Sequence, residues 1–302
     1  MSRRRKGRDI HGILLLDKPA GITSNRALQK VRGLFQARKA GHTGSLDPFA
    51  TGMLPICLGE ASKTAAFMLE AGKRYRATAR LGVATATGDL EGEVIQTLPL
   101  PDVDPGALVQ TLQQFEGEIE QVPPMYSALK HEGKPLYEYA RAGIVIERPA
   151  RRVTIHQLDM LDWQAPDLTF EVHCSKGTYI RTLAEDIAAA LGSCAHLIEL
   201  RRTLVEPFEH SPMLTLEQLQ EARDKARLSE VLLPADAGLV GWPRIDLDAI
   251  QQGKYQHGQQ FAVHSDNSTS GKVRVYDGES RLLGLGEVSA NGILQPTRVF
   301  NV

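Results

Sequence analysis

Residues 41–52 read Gly-His-Thr-Gly-Ser-Leu-Asp-Pro-Phe-Ala-Thr-Gly and place a single carboxylate in a loop with three glycines and a proline. Glycine allows positive φ and close backbone approach, while Pro48 fixes its own φ and keeps Asp47 extended. His42 supplies a flat ring on the amino-terminal side of the carboxylate. These features predict a stiff loop that presents Asp47 to a ring-bearing substrate. The competing interpretation is a turn aspartate that bonds its own backbone, a common use of Asp in turns.

The segments around this loop carry both strand and helix patterns. Apolar runs and period-two alternation predict strands at 12–16, at 74–81 with 93–98 as its partner, and at 153–161 paired with 168–174. Helices are expected after Ser24 as N-cap, near 60–69, after Asp104-Pro105, at 136–142, at 178–191 and after Thr215. From about residue 246 the pattern changes to short strands at 260–263, 272–276, 282–285 and 293–300. This order predicts an α+β domain followed by a compact β-rich one.

Arg181 is unusual because it falls in the first turn of the 178–191 helix, where the macrodipole disfavours a cation. Such a side chain either points away, toward phosphate or solvent, or has an anionic partner. A pair with Asp47 would be bidentate and would lower the pKa of that carboxyl by about 1–3 pKa units, against the effect of burial.

The composition of the chain limits the classes of function. The 302 residues carry a net charge of −1 and three widely separated cysteines, Cys57, Cys174 and Cys194, and no apolar run reaches membrane-spanning length. We therefore expect a cytoplasmic protein whose cysteines are buried small hydrophobes rather than disulfides or zinc ligands. The sequence lacks phosphate-loop, dinucleotide and metal-ligand spacings, so the expected chemistry uses a carboxylate without cofactor or metal.

Basic residues are concentrated ahead of the loop. Residues 1–40 contain eleven lysines and arginines against two aspartates, an asymmetry that can supply phosphate contacts in a neutral protein. The phosphate contacts expected there are Lys18, Arg38 and Lys39, with a solvated surface as the alternative. Tyr75 stands among cations in Lys73-Arg74-Tyr75-Arg76, which suits base stacking in RNA, although the ring could equally fill one face of a strand.

Five blocks of sequence share the order and spacing of one known family. Residues 16–24 are similar to its K-P-x-G-x-T-S motif, and residues 41–48 to its G-H-x-G-x-L-D-P motif. Lys73-Arg74-Tyr75, residues 175–181 and Leu200-Arg201-Arg202 match three further blocks. Over about residues 10–205 the chain thus resembles the bacterial TruB family of tRNA pseudouridine synthases. Two positions depart from the family, where threonine is common, but both keep a hydroxyl: Ser45 and Ser62.

The resemblance implies isomerisation of the T-loop uridine at position 55 of tRNA to pseudouridine. The uridine would be flipped out, its N-glycosidic bond cleaved with the help of Asp47, its uracil rotated, and a C5–C1′ bond formed. Whether Asp47 attacks the sugar or promotes elimination is left open. The implied catalytic residues are Asp47, Tyr75, which would contact the base and assist removal of the C5 proton, and Arg181, which would pair with Asp47. The implied substrate-binding residues are His42, Leu200, Lys18, Tyr179 and Arg202. The family needs no cofactor and no metal.

For the fold, the resemblance implies a mixed, largely antiparallel sheet of the pseudouridine-synthase type, flanked by helices, and a small PUA-like RNA-binding domain. The expected division is a basic tail at 1–9, a catalytic domain at 10–245 and the PUA-like domain at 246–302. The expected partner is the T-arm of tRNA, with neither a membrane nor an obligate protein partner, and the chain is expected to be a monomer. Two alternatives stay open: an RNA-binding or tRNA-folding protein with a silent site, and a synthase acting on another RNA. Catalysis and tRNA folding can also coexist.

Overall fold

Seventeen strands and seven α-helices are found in the computed structural model, which describes residues 7–263 and 270–301. The strands are β1 (Gly12–Lys18), β2 (Ala40–His42), β3 (Thr51–Leu58), β4 (Lys73–Leu81), β5 (Val83–Thr85), β6 (Val94–Thr97), β7 (Gly117–Gln121), β8 (Lys130–His131), β9 (Lys134–Pro135), β10 (Arg151–Gln164), β11 (Asp167–Cys174), β12 (Ala195–Val205), β13 (Arg244–Leu247), β14 (Phe261–Ala262), β15 (Gly271–Asp277), β16 (Leu282–Val288) and β17 (Ile293–Val299). The helices are α1 (Ser24–Phe35), α2 (Ala65–Leu69), α3 (Pro105–Gln113), α4 (Leu136–Arg141), α5 (Ile180–Ala190), α6 (Leu216–Asp224) and α7 (Ala249–Gln256).

The main sheet has eight strands, seven of them in the order β1-β3-β12-β4-β11-β10-β7, with β2 added to β3. Every pair is antiparallel except β3 with β12, so the sheet is mixed and largely antiparallel as expected. Helices α3 and α5 cover one face of it, and their apolar residues share a core with β4, β10, β11 and β12. A second core lies between β1, β3, α1 and α6. The predicted α+β class is confirmed.

Strand β4 shows the predicted alternation, because Tyr75, Ala77, Ala79 and Leu81 are all buried. Its predicted partner is wrong. Residues 93–98 contribute β6, which pairs with β5 in a separate hairpin, while β11 and β12 flank β4. The prediction paired β4 with the next strand-like segment in the sequence, since consecutive strands often pair. Strands β11 and β12 are more buried than β6, and they take the positions next to β4.

Helix α1 begins where it was expected, but its cap is one residue earlier. The side chain of Thr23, not Ser24, accepts the hydrogen bond from the Arg26 backbone nitrogen. The predicted cap Asp104 and the capping box at Thr215 are both present. Because a local cap depends on three or four consecutive residues, sequence locates it to within one position.

The three cysteines are free and buried, as expected for small hydrophobic residues. Burial raises the pKa of the Cys57 thiol to about 12 and that of Cys174 to about 11. Both thiols therefore stay protonated and unreactive near neutral pH. Within the described ranges, no helix has both the length and the apolar character required to cross a bilayer.

The C-terminal unit is a five-stranded sheet in the order β13-β15-β16-β17-β14, with α7 packed on it. The four predicted strands are present, whereas β13 and α7 were not expected. The predicted boundary between 245 and 246 therefore falls within β13, which pairs in parallel with β15. Of the predicted basic tail, residues 1–6 lie outside the described part of the chain.

The two units are in direct contact. Leu239, Leu285 and Phe300 form a shared apolar cluster, and the rings of Phe67 and Trp242 meet edge to face with centroids 4.7 Å apart. The Lys63 ammonium donates to the Val299 carbonyl at 2.6 Å. These contacts fix the C-terminal sheet against the segment that follows β3.

Candidate active site

The Asp47 loop is held to the start of α1 by one buried hydroxyl. Ser24 Oγ accepts from the Leu46 backbone nitrogen at 2.7 Å and donates to the Leu46 carbonyl at 3.0 Å. Ser24 is only 3% exposed and Leu46 only 6%. Because both backbone groups next to Asp47 are satisfied by one side chain, the position of the carboxylate depends on Ser24.

Arg202 also holds the Asp47 loop in place, through hydrogen bonds from its side chain to backbone carbonyls. Its Nε donates to the Met53 carbonyl at 2.7 Å, and Nη2 donates to the Gly44 carbonyl at 3.2 Å. Arg202 is 1% exposed, so its burial removes it from any surface that a substrate can touch in this conformation. Gly52 has φ +99°, and a Cβ there would lie 2.2 Å from the Arg202 carbonyl oxygen. Only glycine fits this approach of β3 to β12.

Lys18 is buried, not a solvent-facing phosphate contact as was predicted. Its ammonium donates to the carbonyls of Pro19, Ile22 and Pro48 at 2.8–3.1 Å, and the residue is 0% exposed. Burial lowers the pKa of Lys18 to about 8, although the nearby Asp47 raises it. The sequence places a lysine near the loop, but it does not show whether the side chain points to solvent or into the protein. The other two expected phosphate contacts, Arg38 and Lys39, are exposed, and Arg38 pairs with Asp9 at 2.9 Å.

Asp47 and Arg181 are brought together as the resemblance implied, but through Nε alone and not in the expected bidentate pair, because both Nη atoms donate to backbone carbonyls. Arg181 Nε lies 3.0 Å from Asp47 Oδ2, with the arginine side chain 4% exposed and the aspartate 36% exposed. Burial raises the pKa of Asp47, Asp89 adds to the rise, and Arg181 opposes it. Arg181 thus lowers the pKa of Asp47 as expected, but the desolvation that opposes it is larger, so the net shift is upward. Solvent at the exposed third of the side chain limits the rise.

The remaining donors of Arg181 are also engaged. Nη1 donates to the Thr87 carbonyl at 2.5 Å and lies 3.7 Å from Asp89 Oδ2, while Nη2 donates to the Tyr126 carbonyl at 2.7 Å. Sequence reasoning missed Asp89, which is 3% exposed. A signal was available, since Gly88 and Gly92 flank this acid much as glycines flank Asp47. Arg181 is thus fixed between two carboxylates and two carbonyls, on the first turn of α5.

Asp47 opens into a cleft of about 480 Å³. Its lining comprises Thr23, Ser24, Asn25, His42, Ser45, Leu46, Asp47, Pro48, Thr87, Asp89, Glu91, Tyr126, Ser127, Ala128, Tyr137, Arg141 and Arg181. His42 lies at the end of β2, half-buried, with its Nδ1 buried and unpartnered among the described residues. Burial lowers the pKa of His42, and Arg202 lowers it further, so the ring is neutral near pH 7. The volume and the neutral ring suit one planar base.

Tyr75 and Leu200 lie behind this lining. They are 9% and 7% exposed, and both belong to the core cluster that also contains Leu46. Burial raises the pKa of the Tyr75 hydroxyl, against the opposing charge of Arg202, so the phenol is neutral. Tyr179 caps α5 through its backbone, which exchanges hydrogen bonds with the Gln121 side chain at 3.0 and 3.3 Å. Burial also raises the pKa of Tyr179.

Family models cover most of the chain. The model described as TruB family pseudouridylate synthase (N terminal domain) matches residues 32–180. The tRNA pseudouridylate synthase B C-terminal domain matches 181–240, and Pseudouridine synthase II TruB, C-terminal, matches 243–300. The third match begins one residue before β13.

Relatives match along the full length. The tRNA pseudouridine synthase B of Actinobacillus succinogenes is 49% identical over 301 residues, which cover 99% of this chain and 96% of the relative. That of Aeromonas salmonicida is 50% identical over 311 residues, covering 99% and 97%.

Solved structures share the fold. A Cbf5-Nop10-Gar1 complex contains a chain with a TM-score of 0.72 and 25% identity, covering 96% of this chain and 85% of that one. An H/ACA RNP bound to a substrate RNA containing 2′-deoxyuridine gives a TM-score of 0.73 at 23% identity, covering 100% and 92%, a similarity of fold alone. From the family models and the full-length relatives together, the chain belongs to the TruB family of pseudouridylate synthases.

Proposed function

We propose that this protein isomerises the T-loop uridine at position 55 of tRNA to pseudouridine, with Asp47 as the reacting group. The observation that carries the proposal is the Asp47–Arg181 pair, 3.0 Å long, at the edge of a cleft of base size. Family membership supports pseudouridine formation, and relatives about half identical over their full length are named as tRNA enzymes.

The chemistry asks one carboxylate to act at the sugar. The N-glycosidic bond of the flipped uridine breaks, uracil rotates, and C5 bonds to C1′ with loss of the C5 proton. A carboxylate can trap the electron-poor C1′ covalently, or it can promote loss of the base by elimination at the sugar. Both routes need Asp47 ionised and correctly aimed. Arg181 favours the ionised form, and the backbone anchors at Ser24 and Arg202 hold the loop still.

The other groups act on the base. Removing the uridine from its stack costs a few kcal/mol, and the neutral ring of His42 at the cleft can fill the space the base leaves. Tyr75 and Leu200 would form the floor beneath the uracil. The raised pKa keeps Tyr75 a neutral phenol, and we propose that this hydroxyl assists removal of the C5 proton. A Tyr75→Phe variant keeps the floor and removes only the hydroxyl.

The C-terminal sheet would serve as the PUA-like RNA-binding module. It is anchored to the catalytic part through the Lys63–Val299 contact and the Phe67–Trp242 pair, so both could engage one RNA rigidly. A tRNA substrate also fits a cytoplasmic protein, and we propose that it acts as a monomer. Sedimentation with and without tRNA would measure that state.

The test is tritium release from a T-arm hairpin carrying [5-³H]uridine. We expect release by the native protein and none by Asp47→Asn, which should still bind the hairpin. The matched control is Asp167→Asn, since Asp167 pairs with Arg80 at 2.8 Å outside the cleft, and its release should be normal. Normal turnover by Asp47→Asn would remove Asp47 from the mechanism.

The same assay separates the alternatives left by the sequence. A tRNA-folding protein with a silent site would bind the hairpin, but even the native protein would release no tritium. A synthase for another RNA would act poorly on the T-arm and would tolerate substitution of the T-loop bases.

A further inference from the structure

The charges lining the cleft present a problem for a polyanionic substrate. Its lining includes three acidic residues, Asp47, Asp89 and Glu91, against two arginines, Arg181 and Arg141. Arg181 offers little to a phosphate, because each of its three nitrogens already has a protein partner. The phosphodiester groups on either side of a flipped nucleotide must nevertheless approach these acids.

Arg141 is the cation that remains. It lies exposed in the last turn of α4, and its guanidinium carbon is 5.4 Å from the centre of the Tyr137 ring. Across residues 7–263 and 270–301, this guanidinium has neither a hydrogen bond nor an ion pair to the protein. A cation–π contact at an exposed site is weak and leaves all five N–H donors available.

Helix α4 is nevertheless fixed relative to the catalytic pair. The Leu136 backbone nitrogen donates to the Leu129 carbonyl at 2.7 Å, and that of Tyr137 donates to the Ser127 carbonyl at 3.1 Å. Leu136 is 4% exposed and anchors the helix by burial. The segment that receives these bonds also contains Tyr126, whose carbonyl accepts from Arg181. Helix α4, which carries Arg141, and the Arg181 side chain are thus both hydrogen-bonded to the backbone of residues 126–129.

We propose that Arg141 binds a backbone phosphate adjacent to the target uridine, and that the Tyr137 ring is its resting place in the free protein. The inference rests on the proposed function, because it takes the occupant of the cleft to be a flipped nucleotide. A guanidinium suits this task, since its planar fork can hold two phosphate oxygens at once. When the RNA binds, Arg141 exchanges its weak contact with the Tyr137 ring for a charge-assisted hydrogen bond to the phosphate. Its positive charge then offsets the repulsion between that phosphate and the carboxylates of Asp47, Asp89 and Glu91.

The first experiment compares Arg141→Gln with the native protein on the tritiated T-arm hairpin. We expect KM to rise about tenfold to a hundredfold, as for loss of one charge-assisted hydrogen-bonding group, with kcat changed by less than about threefold. The slope of log affinity against log salt should fall by about 0.7–0.9, the value for one phosphate contact. The matched control is Arg227→Gln, an exposed arginine outside the cleft that already pairs with Glu230, and it should match the native protein. An unchanged KM in Arg141→Gln would overturn the proposal.

A second experiment identifies the phosphate. Single methylphosphonates are placed on either side of the target uridine, and hairpin binding is measured in the Asp47→Asn background with and without Arg141→Gln. We expect one position to weaken binding when Arg141 is present and to have no further effect when it is absent. Equal losses in both backgrounds would show that Arg141 does not contact these phosphates and would refute the inference. Because this readout is binding, it stands even if the native protein releases no tritium, which would refute only the proposed function.

Discussion

Ser24→Ala tests whether the catalytic loop depends on the one hydroxyl that joins it to α1. The change removes both hydrogen bonds to Leu46, at 2.7 and 3.0 Å, and leaves a buried N–H and C=O without a partner. An unsatisfied buried backbone group costs about 1–3 kcal/mol, so we expect a loss of roughly 2 kcal/mol in the free energy of unfolding. For a protein of this size that corresponds to a fall in Tm of roughly 4 °C.

The effect on catalysis should be larger than the effect on stability suggests. Leu46 precedes Asp47, and a loosened loop misplaces the carboxylate against C1′. Misplacement by about an ångström can cost about a hundredfold, so we expect kcat to fall by roughly 10–100-fold with little change in KM. The measurement is single-turnover tritium release from the T-arm hairpin at 25 °C, well below the Tm of the variant.

Thr215→Ala provides the control for stability alone. Thr215 caps α6 away from the cleft by accepting from the Gln218 backbone nitrogen at 3.2 Å, and its loss should cost about 1 kcal/mol. We expect a lower Tm with unchanged kcat. Native kcat in Ser24→Ala, or an equal fall in kcat in Thr215→Ala, would contradict the dependence of the Asp47 loop on the Ser24 hydroxyl.

Three further perturbations follow from the same geometry. Asp89→Asn removes a charge that raises the pKa of Asp47, so the acid limb of the kcat/KM pH profile should move to lower pH, and an unmoved limb would contradict the coupling. Gly52→Ala forces a Cβ to 2.2 Å from the Arg202 carbonyl oxygen at φ +99°, so we expect a loss of several kcal/mol, seen as a much lower Tm or insoluble protein. Lys18→Met should change how the free energy of unfolding depends on pH. The pKa of Lys18 is about 8 in the folded protein and 10.5 in the unfolded chain, so above pH 8 the folded state loses this proton before the unfolded state does. The protein with Lys18 should therefore gain stability relative to the variant as the pH rises above 8. The two pKa values limit that gain to at most roughly 3 kcal/mol, and parallel curves from chemical denaturation between pH 7 and 10 would exclude it.

Short-range patterns explain what could be predicted of the fold. The alternation of β4, the cap at Asp104, the capping box at Thr215 and the apolar stripe of α5 each depend on neighbours within a few residues, and each is present. The same reasoning misassigned the partner of β4. Which strands pair with β4 depends on burial across the whole sheet, and β11 and β12 pair with it instead of β6. No pattern of neighbouring residues contains this information.

The site shows the same division. The resemblance carried by the motifs identified Asp47, Arg181 and His42, which meet at the cleft, and also Tyr75 and Leu200 beneath it. Asp89 and Arg141 also line the cleft, but they belong to no matched motif, and only the fold brings their separate segments to it; for Asp89 the flanking glycines were the one local signal.

The family, the stiff loop and the acid at its centre can all be predicted from the sequence, because glycine, proline and motif spacing are properties of the chain. The direction and environment of each charged side chain depend on the folded protein. Lys18 turned inward to three carbonyls instead of outward to phosphate, and Arg202 became a buried support for the loop. Burial, rather than the ion pair with Arg181, set the sign of the Asp47 pKa shift. These outcomes are not local, because the desolvation of a charged group depends on all the atoms packed around it, most of which belong to residues distant in sequence.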